Sequence, residues 1–263
     1  FAGLAPAPAG GFVSAGHFEH TVDFDQSGAG DLHTAAGRYD LFATRFLPTG
    51  QPVWTRTCGG AGPELGQAVA TDSLGNVFLT GVFTLTADLD PGAGTENHVA
   101  AGLYDAVLLS LTPAGDFRWA RTWGAAGDDL GEALWVQPDG TVCVAGSFEQ
   151  TCDFDPGHGL AEHTSGGSAD GFLSCFSSAG AWQWTQTFGG AGSDWARALA
   201  GDSAGDILVL GGFRGTVDFD PGGAVESRTS AGGEDIFVSQ FLADGTYRSE
   251  ERRVGKECRY RWS

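Results

Sequence analysis

The chain has no methionine, one lysine and few positive charges: 14 basic side chains face 33 acidic ones, a formal charge of −19. That deficit excludes ordinary nucleic-acid binding, because phosphate contacts need basic patches. No apolar run approaches the ~18 residues that a membrane helix requires. No three-residue glycine period runs through it, so it is not collagen. No 3.6-residue apolar period survives either, since glycine interrupts every candidate helix. Disorder is also excluded. Among 263 residues 41% are hydrophobic, with 18 Phe and 8 Trp, enough for a core. What is abundant is glycine, at 43 positions more than twice the usual share.

The glycines belong to a repeat. Thr21–Asp25 (TVDFD) recurs at Thr86–Asp90, Thr151–Asp155 and Thr216–Asp220, each copy 65 residues after the last. Gly16, Gly81, Gly146 and Gly211 keep the same step, as do Phe18, Phe83, Phe148 and Phe213. So do Asp40, Asp105, Asp170 and Asp235, then Gly50, Gly115, Gly180 and Gly245, with Trp54, Trp119 and Trp184. Each unit reads as four strands. A short Ala-rich first strand (Gln67–Ala70, Glu132–Val136, Arg197–Ala200) ends at a glycine turn. The second, Val77–Phe83 or Ile207–Phe213, is almost continuously apolar, as for a strand covered on both faces. The third is Asp105–Leu111 or Asp235–Phe241. The fourth, Phe117–Trp123 or Trp182–Phe188, alternates with period two, the pattern of a half-exposed strand. Tandem four-stranded units with a buried central strand describe an all-β chain of β-propeller blades. A generic sandwich needs no such period, and a parallel β-helix uses shorter turns. The units fall at about 1–60, 61–125, 126–190 and 191–247, an incomplete array of just under four blades, the last expected to lack its outer strand.

The runs Gly211–Gly222 (GGFRGTVDFDPG) and Thr229–Phe241 (TSAGGEDIFVSQF) resemble the bacterial seven-bladed β-propeller repeat family. The resemblance covers roughly Gly3 to Tyr247. It implies a bacterial protein that is secreted or at the cell surface, with repeats acting as scaffold or binding module and no shared catalytic residue. Gly50–Trp54 and its copies also resemble the tryptophan-docking turn of quinoprotein dehydrogenase propellers, where the indole locks neighbouring blades.

The last residues break the pattern. Position 249, where the period demands tryptophan, is Ser249, and Arg248–Ser263 holds six of the basic residues. Arg248–Cys258 (RSEERRVGKEC) resembles a translated sequencing adapter, so 248–263 is expected to be non-native; the alternative is a native basic tail for an anionic partner. The truncation is expected at both ends, since Gly3-Leu4-Ala5 already lies inside a first strand.

The candidate chemistry is repeated too. The pairs Asp23/Asp25, Asp88/Asp90, Asp153/Asp155 and Asp218/Asp220 recur once per unit, and the last three continue Pro-Gly, a D-x-D-x-G pattern like the opening of a calcium loop. The later acidic ligand of that loop is missing, because counting twelve from Asp88 reaches Val99. A type II turn at Asp-Pro-Gly is the favoured reading, with Phe24, Leu89, Phe154 and Phe219 pointing inward. Gly189–Trp195 resembles a β-roll calcium nonapeptide, but one copy per unit cannot build a ligand ladder. Glu64, Asp129 and Asp194 are therefore expected to shape the crossovers between blades. His33, His98 and His163 read as exposed polar strand positions, with Arg228 in the fourth place. His17 and His20 lack counterparts. Cys58, Cys143 and Cys152 replace apolar residues and read as small hydrophobes; a Cys152–Cys175 bridge is conceivable. Non-repeating residues such as His158, Arg214 and Trp135 are where a ligand would be sought.

The expected function is a non-enzymatic extracellular scaffold that binds protein or glycan, with no cofactor. Its partners are an unknown ligand and the remaining blades. The competing expectations are a propeller-borne enzyme, quinoprotein-like or with its catalytic domain outside this chain, and a calcium-stabilised adhesion module.

Overall fold

The computed structural model describes residues 3–25, 27–155, 157, 159–222 and 224–250. The first unit comprises β1 (Gly3–Pro6), β2 (Phe12–Phe18), β3 (Thr21–Asp23), β4 (Leu32–Thr34), β5 (Asp40–Phe46) and β6 (Pro52–Gly60). The second repeats this as β7 (Leu65–Thr71), β8 (Val77–Phe83), β9 (Thr86–Asp88), β10 (Asn97–Val99), β11 (Asp105–Leu111) and β12 (Phe117–Trp123). In the third unit the inner strands are longer: β13 (Leu130–Val136), β14 (Val142–Asp153), β15 (Glu162–Phe176) and β16 (Trp182–Gly190). The fourth is β17 (Trp195–Gly201), β18 (Ile207–Asp218), β19 (Ser227–Phe241) and β20 (Tyr247–Glu250). Within each unit four strands pair antiparallel in chain order, as β1-β2-β5-β6 and β13-β14-β15-β16 show. The fold is all-β, with propeller-like blades.

Two features depart from the sequence reading. The TVDFD segment is one arm of a ribbon that continues the inner hairpin, free-standing as β3–β4 and merged into β14–β15 and β18–β19. This ribbon reaches back to the preceding unit, where Gly59 pairs with Asp88 and Gly189 with Asp218. A left-handed residue marks its entry in every unit: His20, Leu85, Gln150 and Gly215 all have positive φ. In the two continuous strands the register shifts there, as at a bulge. The second departure is a correction. The fourth unit does have an outer strand: β20 pairs with β19 through Gln240↔Ser249 and Phe241↔Tyr247. Ladder pairing uses only backbone groups, so loss of the tryptophan does not prevent it. Of the suspected non-native tail, 251–263 lies outside the described residues.

The core lies between blades. Val13, Ala15, Leu41 and Ala43 of the first unit face Val77, Leu79, Phe83, Val107 and Leu109 of the second. Phe78, Leu108, Trp119 and Trp123 then meet Val144, Phe148, Phe172 and Phe176. Cys143, Ala145 and Leu173 meet Val209, Phe213 and Phe237. Alternate residues of one strand thus serve two different interfaces, which is why β8 and β11 are buried along their whole length.

Candidate functional site

The Asp-x-Asp pairs sit where ribbon turns into loop, and their carboxylates are occupied by backbone. Asp23 Oδ1 accepts the N–H groups of Asp25 and Asp31 at 3.0 and 2.7 Å. Asp88 does the same for Asp90 and Glu96, Asp153 for Asp155 and Ala161, and Asp218 for Asp220 and Glu226. One oxygen thus closes an eight-residue loop four times over. The second aspartate makes an Asx turn: Asp25, Asp90 and Asp220 accept the N–H groups of Ser27, Gly92 and Gly222. This corrects the type II expectation, since Gly92 and Gly222 are absent from the residues with positive φ, which that turn requires. In the third unit Gly157 has positive φ, and its N–H bonds the Asp155 carbonyl. Phe154, Phe219 and Leu89 point inward and are fully buried, whereas Phe24 is half-buried.

Among the described residues, no cluster of three or more His, Cys, Asp or Glu could hold a metal ion. One oxygen of each first aspartate is taken by two N–H donors, and the oxygens left in one pair fall short of the six to eight that calcium takes. The melting temperature is therefore expected to be the same, within about 1 °C, in calcium and in chelator. A calcium-dependent rise of several degrees would restore the metal reading.

A second acidic set lies buried at the crossovers. Asp129 accepts the N–H groups of Ala125 and Glu149, and Asp194 those of Gly190 and Arg214. Glu64 accepts only that of Gly60, leaving Oε1 without a partner. Asp40, Asp105 and Asp170, which face them, and the equivalent Asp235 cap the turn before each third strand through the N–H groups of Ala36, Ala101, Gly166 and Ala231. Burial, reinforced by the Asp40 carboxylate, pushes Glu64 up to about 8; burial likewise raises Asp129 and Asp170 to about 6. These residues shape the crossovers, as the sequence pattern indicated.

The histidines need correcting. His33 and His98 are half-buried, and with His163 each ring bonds the threonine 24 residues on: Thr57, Thr122 and Thr187. They fasten the ribbon to the outer strand. His17 is partly buried, and burial lowers its pKa. His158 lies outside the described residues. Arg214 pairs with Glu234 and lies over the Trp195 ring, while Trp135 is half-buried against the third core.

Cysteine connectivity is also corrected. The bridge is Cys143–Cys175, between residues directly opposite on β14 and β15 with Cα atoms 4.2 Å apart. Cys152 pairs in register with His163 and stays free. Burial, with nearby carboxylates, pushes the Cys58 and Cys152 thiols far up, so neither is a nucleophile at neutral pH. Cys258 lies outside the described residues.

The outer strands carry the contact that joins blades. Trp54 donates its indole N–H to the Pro113 carbonyl at 3.0 Å, and Arg56 Nε donates to Gly115 at 2.9 Å. One unit on, Trp119 donates to Ser178 and Arg121 to Gly180. Next, Gln186 donates to Gly245. Beside the first unit's loop, Asp25, Asp31, Pro52, Val53, Trp54 and Arg56 line an open cleft of about 410 Å³.

No family model matches the chain. It is 29% identical over 225 residues to the "Regulatory protein FlaEY" of Caulobacter vibrioides, covering 82% of this chain and 22% of that protein. It is 22% identical over 219 residues to the "Uncharacterized WD repeat-containing protein L264" of Acanthamoeba polyphaga mimivirus, covering 74% and 16%. The chain thus spans about a fifth of the length of these curated relatives. A solved structure of a protein of unknown function from Bacteroides caccae aligns over 94% of the chain at 9% identity, with a TM-score of 0.38. The similarity to a WD repeat protein agrees with a repeat propeller-like fold.

Proposed function

We propose that the chain is part of a non-enzymatic repeat scaffold, displayed outside the cytoplasm, whose loop surface binds a protein or a glycan. The observation that carries this is how the recurring polar residues are used. The Asp-x-Asp pairs, the crossover acids and the repeated histidines all hold backbone or neighbouring strands. A scaffold varies its loops while its repeats keep the frame. The Cys143–Cys175 bridge supports an oxidising compartment. The relatives named as a regulatory and a WD repeat protein suit a binding role. In the open cleft, Asp25 stays ionised, because the Ser27 hydroxyl and backbone N–H hold its carboxyl below the usual range.

The test is an array of glycans and bacterial envelope proteins, with each bound ligand recovered and weighed. Saturable binding with the ligand recovered unchanged supports the scaffold; a chemically altered ligand overturns it. Compartment is tested by alkylating the native protein, unfolded without reductant. Cys143 and Cys175 are expected to stay unlabelled, and labelling of both in protein taken from its own cell would overturn the extracytoplasmic assignment.

A further inference from the structure

Three of the four equivalent glycine turns are covered by a tryptophan, and the fourth is built identically but bare. Gly50, Gly115, Gly180 and Gly245 have φ of 84°, 83°, 80° and 85°. Each closes its turn by donating to the carbonyl three residues back, at 2.8–2.9 Å: Leu47, Thr112, Ser177 and Leu242. A Cβ placed on Gly115, Gly180 or Gly245 would meet the indole of Trp54, Trp119 or Trp184 within 2.9 Å. On Gly50 it would meet nothing within 4 Å. Those three glycines are buried, and Gly50 is exposed.

The surroundings of Gly50 show the same lack. Phe12, Phe24 and Phe46 are half-buried, while their counterparts in the other units (Val142, Phe154 and Phe176, for example) are fully buried. Phe24, Phe46, Gly50, Gln51 and Pro52 line a cleft of about 390 Å³. At the far end of the array the complementary face is open as well. Leu208, Leu210 and Ile236 are 40%, 44% and 56% exposed, whereas the matching Phe78, Thr80 and Ala106 are wholly buried. The two ends are the two halves of the interface that repeats between the units.

We propose that the Gly50 turn is a preformed docking site for a further blade whose outer strand carries Trp-x-Arg or Trp-x-Gln. By the 65-residue step, its indole N–H donates to the Pro48 carbonyl and the second side chain donates to the Gly50 carbonyl. The indole covers the glycine, and its Cβ-free face is what permits that approach. A second copy of this chain does not supply the contact, because its own outer strand has Ser249 where the tryptophan is needed and Trp184 is already engaged. The occupant is therefore a blade of the same repeat chemistry with its tryptophan intact.

The experiment joins a copy of residues 66–130 directly to Phe1, which preserves the 65-residue register and brings copies of Trp119 and Arg121 to the Gly50 turn. Amide exchange of residues 46–51 is expected to slow by about tenfold or more relative to the parent chain. The same fusion with both copied residues changed to alanine is expected to keep the parent rate. Gly50→Ala provides a measurement that does not depend on the fusion's overall stability. In the parent only the positive φ opposes it, so its effect on melting temperature should be clearly smaller than in the fusion, where the indole opposes it too. Equal effects in both, or unchanged exchange, would overturn the proposal. So would a parent chain that self-associates and loses the association on Gly50→Trp, since that assigns the face to a second copy.

Discussion

Trp119→Ala is expected to destabilise the protein by about 3–5 kcal/mol, the cost of truncating a large aromatic in a core. The indole is 8% exposed and sits at the junction of the second and third units. Three contacts end with it. Its N–H loses the Ser178 carbonyl at 3.1 Å, its face leaves Gly180, and Arg121 loses the ring it lies over, 5.6 Å from the centroid. The packing against Phe78, at 6.0 Å between centroids, goes as well. Most of the loss is burial, so Trp119→Phe should recover the larger part and leave about 1 kcal/mol for the missing hydrogen bond. Because each unit contacts only its neighbours, the cut falls in the middle of a one-dimensional array. Denaturant unfolding should therefore lose cooperativity, with a lower m-value as the two halves unfold separately. A loss under 1 kcal/mol with an unchanged m-value would show that the ribbon-to-strand bridges and apolar faces hold the units without the indole.

The same junction shows what could be read from residue order. A 65-residue step and the apolar runs at Val77–Phe83 and Asp105–Leu111 define the inner strands to the residue, because a strand covered on both faces has no other pattern. The tryptophan turn was visible as Gly50–Trp54 and its copies. The ribbon was not: TVDFD is too short and polar to announce a strand, and its pairing with Gly59 or Gly189 comes from the neighbouring unit. Turn type at Asp90-Pro91-Gly92 was missed because a carboxylate can take the donor that a backbone carbonyl would otherwise accept. The Cys143–Cys175 bridge depends on cross-strand register between β14 and β15, which spacing along the chain leaves open. The histidines were misplaced for a related reason: strand alternation gives a face, and only the partner Thr57, Thr122 or Thr187 shows that the face is half covered. The end faces are the reverse case. Leu208 and Ile236 have the composition of buried residues, and only the structure shows them uncovered.

Stability is expected to fall as pH rises from about 5 to 9, and Glu64→Gln should flatten that fall. Glu64 is completely buried, and its pKa stands at about 8 because burial penalises the charged form, with Asp40 adding to the effect. A carboxyl whose folded pKa lies above its unfolded value binds its proton more tightly when folded. Its contribution is then complete below about 4.5, the unfolded value, and is lost as pH passes through about 8. Asp129 and Asp170, raised to about 6, add the same slope at lower pH. A full linkage would amount to several kcal/mol for Glu64 alone. The reason Glu64 stands highest is its length. Asp129 and Asp194 each bond a second N–H, from Glu149 and Arg214, while the longer Glu64 leaves Oε1 unpartnered. Glu64→Asp should accordingly gain the N–H of Thr84, the residue equivalent to Glu149, and move the transition down towards about 6. Melting curves of the three proteins between pH 5 and 9 decide it. A parent whose stability rises across that window, or a Glu64→Gln protein with the parent's slope, would show that Glu64 is already ionised in the fold and that the crossover acids hold their backbone turns as carboxylates.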